Sequence, residues 1–175
     1  MLLLTDSWEK DPLTFAKVEG VTHQRLHLAV GDYTAEHNGI RDTAICERKS
    51  LSDLFTSFTG NYDAERDKIR RAKELGLTYI LAIEGTFSEL LKGHSYYAGG
   101  EWHVARKTGI AMARQLMTLQ RKYGITVWFC ESRQVMAMMM QEYFLAQERV
   151  VHVPSESSES RGEGFGVPRE GEGGG

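Results

Sequence analysis

Apolar and polar positions along the chain fall into alternating strand-like and helix-like segments. Leu2–Thr5 is a short apolar run ending at Asp6 and predicts a buried strand. Arg25–Val30 alternates (Arg-Leu-His-Leu-Ala-Val) and breaks at Gly31, predicting a second strand; Thr43–Glu47 predicts a third. Ser50-Leu-Ser-Asp53 opens a helix to about Phe58, with Ser50 placed to cap it and Asp53 at the third helical position. A further helix is predicted from Asn61 or Asp63 to about Leu75, stopped by Gly76. Thr78–Ile83 is β-rich and apolar on both faces, as a central strand requires. Lys92–Gly100 reads as a flexible aromatic loop. Its Tyr96 and Tyr97, with Trp102, are placed either to stack on unpaired bases or simply to lie at the surface. From His103 to Tyr123, Ala105, Met112, Leu116, Leu119 and Tyr123 recur along one helical face, and Gly124 ends the helix. Ile125–Cys130 is the last predicted strand and Glu131–Arg149 the last helix. This order of elements predicts an α/β domain whose central sheet is covered on both sides.

Composition places the domain boundary. The chain has 175 residues, 41% hydrophobic and 26% charged, which suits one globular domain. Ser155–Gly175 holds five glutamates, two arginines and seven glycines, so it carries the whole net charge of −3 and leaves the remainder neutral. Its only large apolar residues, Phe165 and Val167, cannot offset the entropy of ordering it. The expectation is an ordered domain over residues 1–153 and a disordered acidic, Gly/Ser-rich tail over 154–175. A neutral body argues neither for nor against nucleic acid, so the decision rests on local clusters. The apolar run Met1–Leu4 is too short for a signal peptide or membrane span, and two cysteines, Cys46 and Cys130, cannot form a disulfide framework. A cytoplasmic protein with no membrane partner is expected.

The candidate chemistry begins at Gly31-Asp32 and continues at Glu47-Arg48-Lys49. Strand alternation projects Glu47 and Lys49 from the same face, and Asp32, just past a strand end, is placed to join them. Two carboxylates and a lysine at a sheet edge suit a hard, oxygen-ligated cation such as magnesium, which polarises a phosphate and activates water. The same residues would serve equally as a turn aspartate and solvated strand-edge charges. His23 and His27 have the spacing of helical zinc ligands, but their segment reads as strand and offers no further ligand. In the helix after Asn61, Arg66, Arg70 and Lys73 share a face, beside Lys68 and Arg71, and form either a stripe for a phosphate backbone or a solvated surface. Val135–Met140 is apolar all round its helix and reads as core or as an interface.

Gly31-Asp32, fourteen residues, Glu47-Arg48-Lys49, three residues and Asp53 together resemble the signature of the XPF-type structure-specific endonucleases. Asp6-x-x-Glu9 and Tyr79–Glu84 extend the likeness over roughly residues 1–130. The resemblance implies a restriction-endonuclease-like core with a mixed central sheet flanked by helices. It also implies magnesium- or manganese-dependent cutting of branched or junction DNA in repair, recombination or other DNA processing. Asp6, Asp32 and Glu47 would hold the metal with the carbonyl of Arg48, and Lys49 would act on the attacking water and on the DNA. Glu9, Arg48 and Asp53 would support them, the last two as an ion pair. A silent DNA- or partner-binding scaffold of the same fold is the alternative. Trp8 stands where the family usually has arginine, and the tandem helix-hairpin-helix module that commonly follows the core is not seen. A stand-alone core of phage or prokaryotic type is therefore expected, drawing affinity from homodimerisation or a partner subunit.

Overall fold

The fold is taken from a computed structural model, which describes residues 1–93, 95–98, 101–104 and 108–151. In chain order the elements are β1 (Leu2–Asp6), β2 (Thr22–Leu26), β3 (Tyr33–His37), β4 (Ile40–Arg41), β5 (Ala44–Ser50), α1 (Leu51–Gly60), α2 (Tyr62–Glu74) and β6 (Thr78–Glu84). They continue with α3 (Phe87–Lys92), β7 (Ser95–Ala98), β8 (Glu101–Val104), α4 (Gly109–Tyr123), β9 (Thr126–Cys130) and α5 (Arg133–Val151). The tail predicted from residue 154 lies outside the described residues, as do His94 and Ala105.

The main sheet has the strand order β2-β1-β3-β5-β6-β9, with β4 pairing β3 at its side. It is mixed. β1 runs antiparallel to β3, and β3 antiparallel to β5, while β1–β2, β5–β6 and β6–β9 are parallel. Alternation along the strands divides the core into two layers. Ile45, Tyr79, Leu81 and Ile83 pack with Leu54, Phe55 and Phe58 of α1, Ile69 of α2, Leu90 of α3 and Met112 and Leu116 of α4. Ala44, Cys46, Ile80 and Ala82 pack on the opposite face with Met136, Ala137, Met140 and Phe144 of α5. This is the restriction-endonuclease-like arrangement that the resemblance implied. Part of the methionine-rich stretch is thus core, while Met138 is exposed. Among the described residues, no helix is long and apolar enough to cross a membrane.

Several predicted elements hold, and others are corrected. Ser50 caps α1 by accepting a hydrogen bond from Asp53 N at 3.1 Å, and Gly124 ends α4 in the left-handed region, φ 72°. The second strand is Thr22–Leu26 rather than Arg25–Val30. Its partner β1 ends at Asp6, opposite Leu26, so the chain beyond has no ladder to join. β3 and β4 were not predicted. Tyr33–His37 mixes polar and apolar residues, yet the Asn38-Gly39 turn, with both φ values positive, is the tight hairpin connection that marks it. The short helix α3 was missed too, although Thr86 and Glu89 form a full capping box. The supposed loop after Lys92 contains the antiparallel hairpin β7–β8, so the helix predicted from His103 starts only at Gly109. There the backbone of Leu90 and Leu91 in α3 comes so close that a Cβ on Gly109 would collide with it.

Candidate active site

The candidate site is a cleft of about 320 Å³ lined by Asp6, Trp8, Leu28–Asp32, Glu47, Lys68 and Arg71. Gly31 shapes it. The chain reverses there at φ 73°, and a Cβ would strike the Ile45 side chain, so only glycine fits. The reversal lets Asp32 N donate to Cys46 O at 2.8 Å, while Asp6 N donates to Asp32 O at 2.7 Å. Asp32 is thereby stitched between the end of β1 and the middle of β5. Its Oδ2 accepts from Arg48 N at 2.8 Å, and Asp6 Oδ1 accepts from Leu28 N at 2.9 Å.

Glu47 is only 4% exposed although it is an acid. Its Oε1 meets Lys68 Nζ at 2.5 Å and Lys49 Nζ at 3.6 Å; among the described residues its buried Oε2 has no close hydrogen-bond partner, although the carboxylate lies near enough to the buried Tyr79 hydroxyl to help raise that group's pKa. Burial, and after it the neighbouring Glu47, push the Asp32 pKa from 3.8 up to about 7, against the hydrogen bond from Arg48 N. Burial works against the Lys68 ammonium, but Glu47 outweighs it and holds the Lys68 pKa above its usual value.

That donor set fits a hard divalent cation: a crowded carboxylate pair, an unpartnered buried oxygen, and Asp6 on the same cleft. Among the described residues, no three His, Cys, Asp or Glu side chains stand ready-grouped around one metal position. Asp32 and Glu47 are brought together; Asp6 lines the cleft with its Oδ1 held by Leu28 N.

The other predicted residues separate by strand face. Lys49 projects with Glu47 towards α1 and α2, where Nζ pairs with Glu65 at 2.9 Å and donates to Ser57 Oγ at 3.2 Å. Arg48 points to the opposite face and pairs with Glu9 at 3.2 Å and Glu84 at 3.5 Å. The expected Arg48–Asp53 ion pair is therefore absent from the interactions these residues make. Asp53 sits at the start of α1, where its Oδ2 accepts from Ser50 Oγ at 2.7 Å and it acts as part of the helix cap. Glu65 has no signal in the sequence and Lys68 reads there only as a neighbour of the phosphate stripe, because only the docking of α2 brings them to Lys49 and Glu47. Removing one partner of a buried ion pair strands the other charge. Glu65→Ala is accordingly expected to cost about 3 kcal/mol or more, lowering the melting temperature by roughly 6–12 °C. An unchanged melting temperature would show that the Lys49–Glu65 pair contributes nothing.

Helix α2 carries two sets of cations on opposite flanks, as 3.6 residues per turn dictates. Arg66 and Arg70, on the flank predicted with Lys73 to follow DNA, are paired with Asp63 and Asp67 of their own helix. The flank that lines the cleft instead carries Lys68 and Arg71.

The mixed sheet with helices on both faces is a restriction-endonuclease-like fold, and the carboxylate–lysine corner lies on it beside the middle of β5. The profile of the ERCC4 domain matches residues 5–143, and the chain belongs to that family. Among solved structures, XPF from Aeropyrum pernix is similar with a TM-score of 0.60 and 21% identity, over 86% of this chain and 67% of that one. XPF from the same organism in complex with DNA is similar with a TM-score of 0.60 and 19% identity, over 85% of this chain and 66% of that one. The chain thus spans about two thirds of the length of each. A comparison with curated proteins finds no match.

Proposed function

We propose that the protein is a divalent-metal-dependent endonuclease that hydrolyses phosphodiesters near branches, flaps or junctions in DNA, inside the cell. The observation that carries this reading is the buried Asp32–Glu47 pair with its unpartnered oxygen, set in a cleft that also holds Lys68 and Arg71. Family membership and the likeness to an XPF solved with DNA support it. Asp32, Glu47 and Asp6 are the residues to hold magnesium or manganese, which when bound supplies Lewis acidity and a more acidic water. In the hydrolysis, water adds to phosphorus, the bond to one ester oxygen breaks, and that oxygen takes up a proton. Lys49, fixed by Glu65 and Ser57, keeps a positive charge 3.6 Å from Glu47 as negative charge gathers at the phosphate. Arg48 and Glu9 brace the turn after β1, and Lys68 and Arg71 seat the phosphate backbone.

Salt titration of branched-DNA binding in EDTA tests the phosphate contacts. Arg71→Gln is expected to reduce the slope of log affinity against log salt by about 1, near one per lost phosphate contact, and Lys68→Gln by less, because Glu47 already pairs with that lysine at 2.5 Å. Arg66→Gln with Arg70→Gln should change it much less, because Asp63 and Asp67 already neutralise those arginines. A larger effect of the outer pair would return the DNA track to that flank. Pairing with a second copy or a partner subunit belongs to the same proposal, supported by the exposed Phe87, Leu91, Ile110 and Met117 of α3 and α4. Light scattering showing only monomer at micromolar concentration would remove the homodimer.

A further inference from the structure

Trp8 lines the cleft, yet neither the packing of the fold nor the proposed hydrolysis accounts for it. Its indole is 78% exposed, more than any other large apolar side chain among the described residues. An exposed tryptophan on a loose loop would mean little, but this one rides on a braced turn. Ser7 N donates to Leu26 O at 2.9 Å, and Glu9 N donates to Asp6 O at 3.2 Å. The Arg25 guanidinium donates to Ser7 O at 3.0 Å and Glu9 O at 2.6 Å, and Arg48 holds the Glu9 side chain. The turn is fixed on both sides of Trp8 while its side chain is held out in water. Its aromatic neighbour is His27, with ring centroids 5.9 Å apart and planes inclined at 38°. His27 is itself exposed, and its Nδ1 lies 3.5 Å from Asp6 Oδ1.

We infer that Trp8, braced beside His27, is a stacking platform for one unpaired nucleobase adjoining the phosphate held in the cleft. A base inside a duplex has both faces covered by its neighbours, so only a splayed, flapped or terminal base can use an open indole. Lys68 and Arg71 on the same cleft supply the attraction for the backbone on which such a base hangs. The platform gives the protein a way to recognise the unpaired side of a junction without reading sequence. This inference rests on the DNA-processing reading above.

The test uses the full chain in EDTA, with splayed-arm DNA carrying 2-aminopurine at one unpaired position after another, and linear duplex as control. Wild type is expected to quench the probe at one position near the branch, and Trp8→Phe to retain that quench. Trp8→Ala should lose it and bind the splayed arm about tenfold more weakly, with duplex affinity held within about twofold. An abasic site at the quenched position should weaken wild type to the level of Trp8→Ala and leave the variant unaffected. DNA binding by wild type without a quench at any position, or a quench that survives Trp8→Ala, would overturn the platform and leave the nuclease reading intact. If Trp8→Ala kept the quench and lowered the sedimentation coefficient, the indole would belong to a protein contact and the platform would again fall. No binding of any DNA by wild type would overturn both readings.

Discussion

Replacing Glu47 with glutamine is expected to abolish metal-dependent cleavage while leaving the fold intact. Glutamine keeps the shape and one carbonyl acceptor for Lys68, so a weaker ammonium–amide hydrogen bond can replace the ion pair. What disappears is half of the carboxylate pair, and with it the affinity of the corner for a divalent cation. Changing residues one step removed from a metal already costs about 10–100-fold, so losing a direct ligand should lower cleavage by at least about 100-fold. Manganese binding followed by isothermal titration should weaken in parallel. Full activity in Glu47→Gln would remove Glu47 from the metal site.

Asp32→Asn is expected to stabilise the metal-free protein at alkaline pH while inactivating it. The sign follows from the raised pKa of Asp32, about 7 in the folded chain against 3.8 as its ordinary value. Between those limits the folded state binds the proton more tightly than the unfolded state. The stabilisation from protonated Asp32 is therefore complete below about 4 and lost as pH rises through about 7. At pH 8 the ionised, buried Asp32 beside Glu47 costs a few kcal/mol, and an uncharged asparagine avoids that cost while still accepting from Arg48 N. In EDTA at pH 8 the variant should melt roughly 5–10 °C above wild type, with the gain cut to less than half at pH 5 and nearly gone below about pH 4. Magnesium or manganese should raise the wild-type melting temperature at pH 8 and leave Asp32→Asn unmoved. A wild-type melting temperature flat from pH 5 to pH 8, with the variant less stable at both, would contradict this electrostatic account.

What the sequence discloses and what it hides follow from the range of the interactions. The Ser50 cap, the central strand β6 and the α4 stop at Gly124 are local, set by residues within a few positions of each other, and they are found as read. The spacing of Gly31, Asp32 and Glu47 is also legible, because the turn at Gly31 leads directly into β3, whose first residue pairs with Cys46 and so sets Asp32 beside Glu47. β3 escapes because its residues are short and partly polar, and its Thr34 is buried only through a hydrogen bond to Ala44 O at 2.7 Å. The Asn38-Gly39 turn and the Thr86–Glu89 capping box are local signals that mark the β3–β4 hairpin and α3. Side-chain partners across the fold are the least legible. Arg48 has Asp53 five residues away, yet strand alternation sends it to the other face, to Glu9 and Glu84. Lys68 and Glu65 become site residues only when α2 packs on β5, an event that no local spacing encodes.

The central claim is tested most directly by end-labelled flap, splayed-arm and Holliday-junction DNAs and a linear duplex of matching sequence. They are incubated with wild type or Glu47→Gln in magnesium, manganese or EDTA. Cuts near the branch point are expected with either metal, none in EDTA and none with the variant, and the linear duplex should stay intact. Tight binding to the branched DNAs with no cutting under either metal would contradict the claim and leave a DNA-binding scaffold of the same fold.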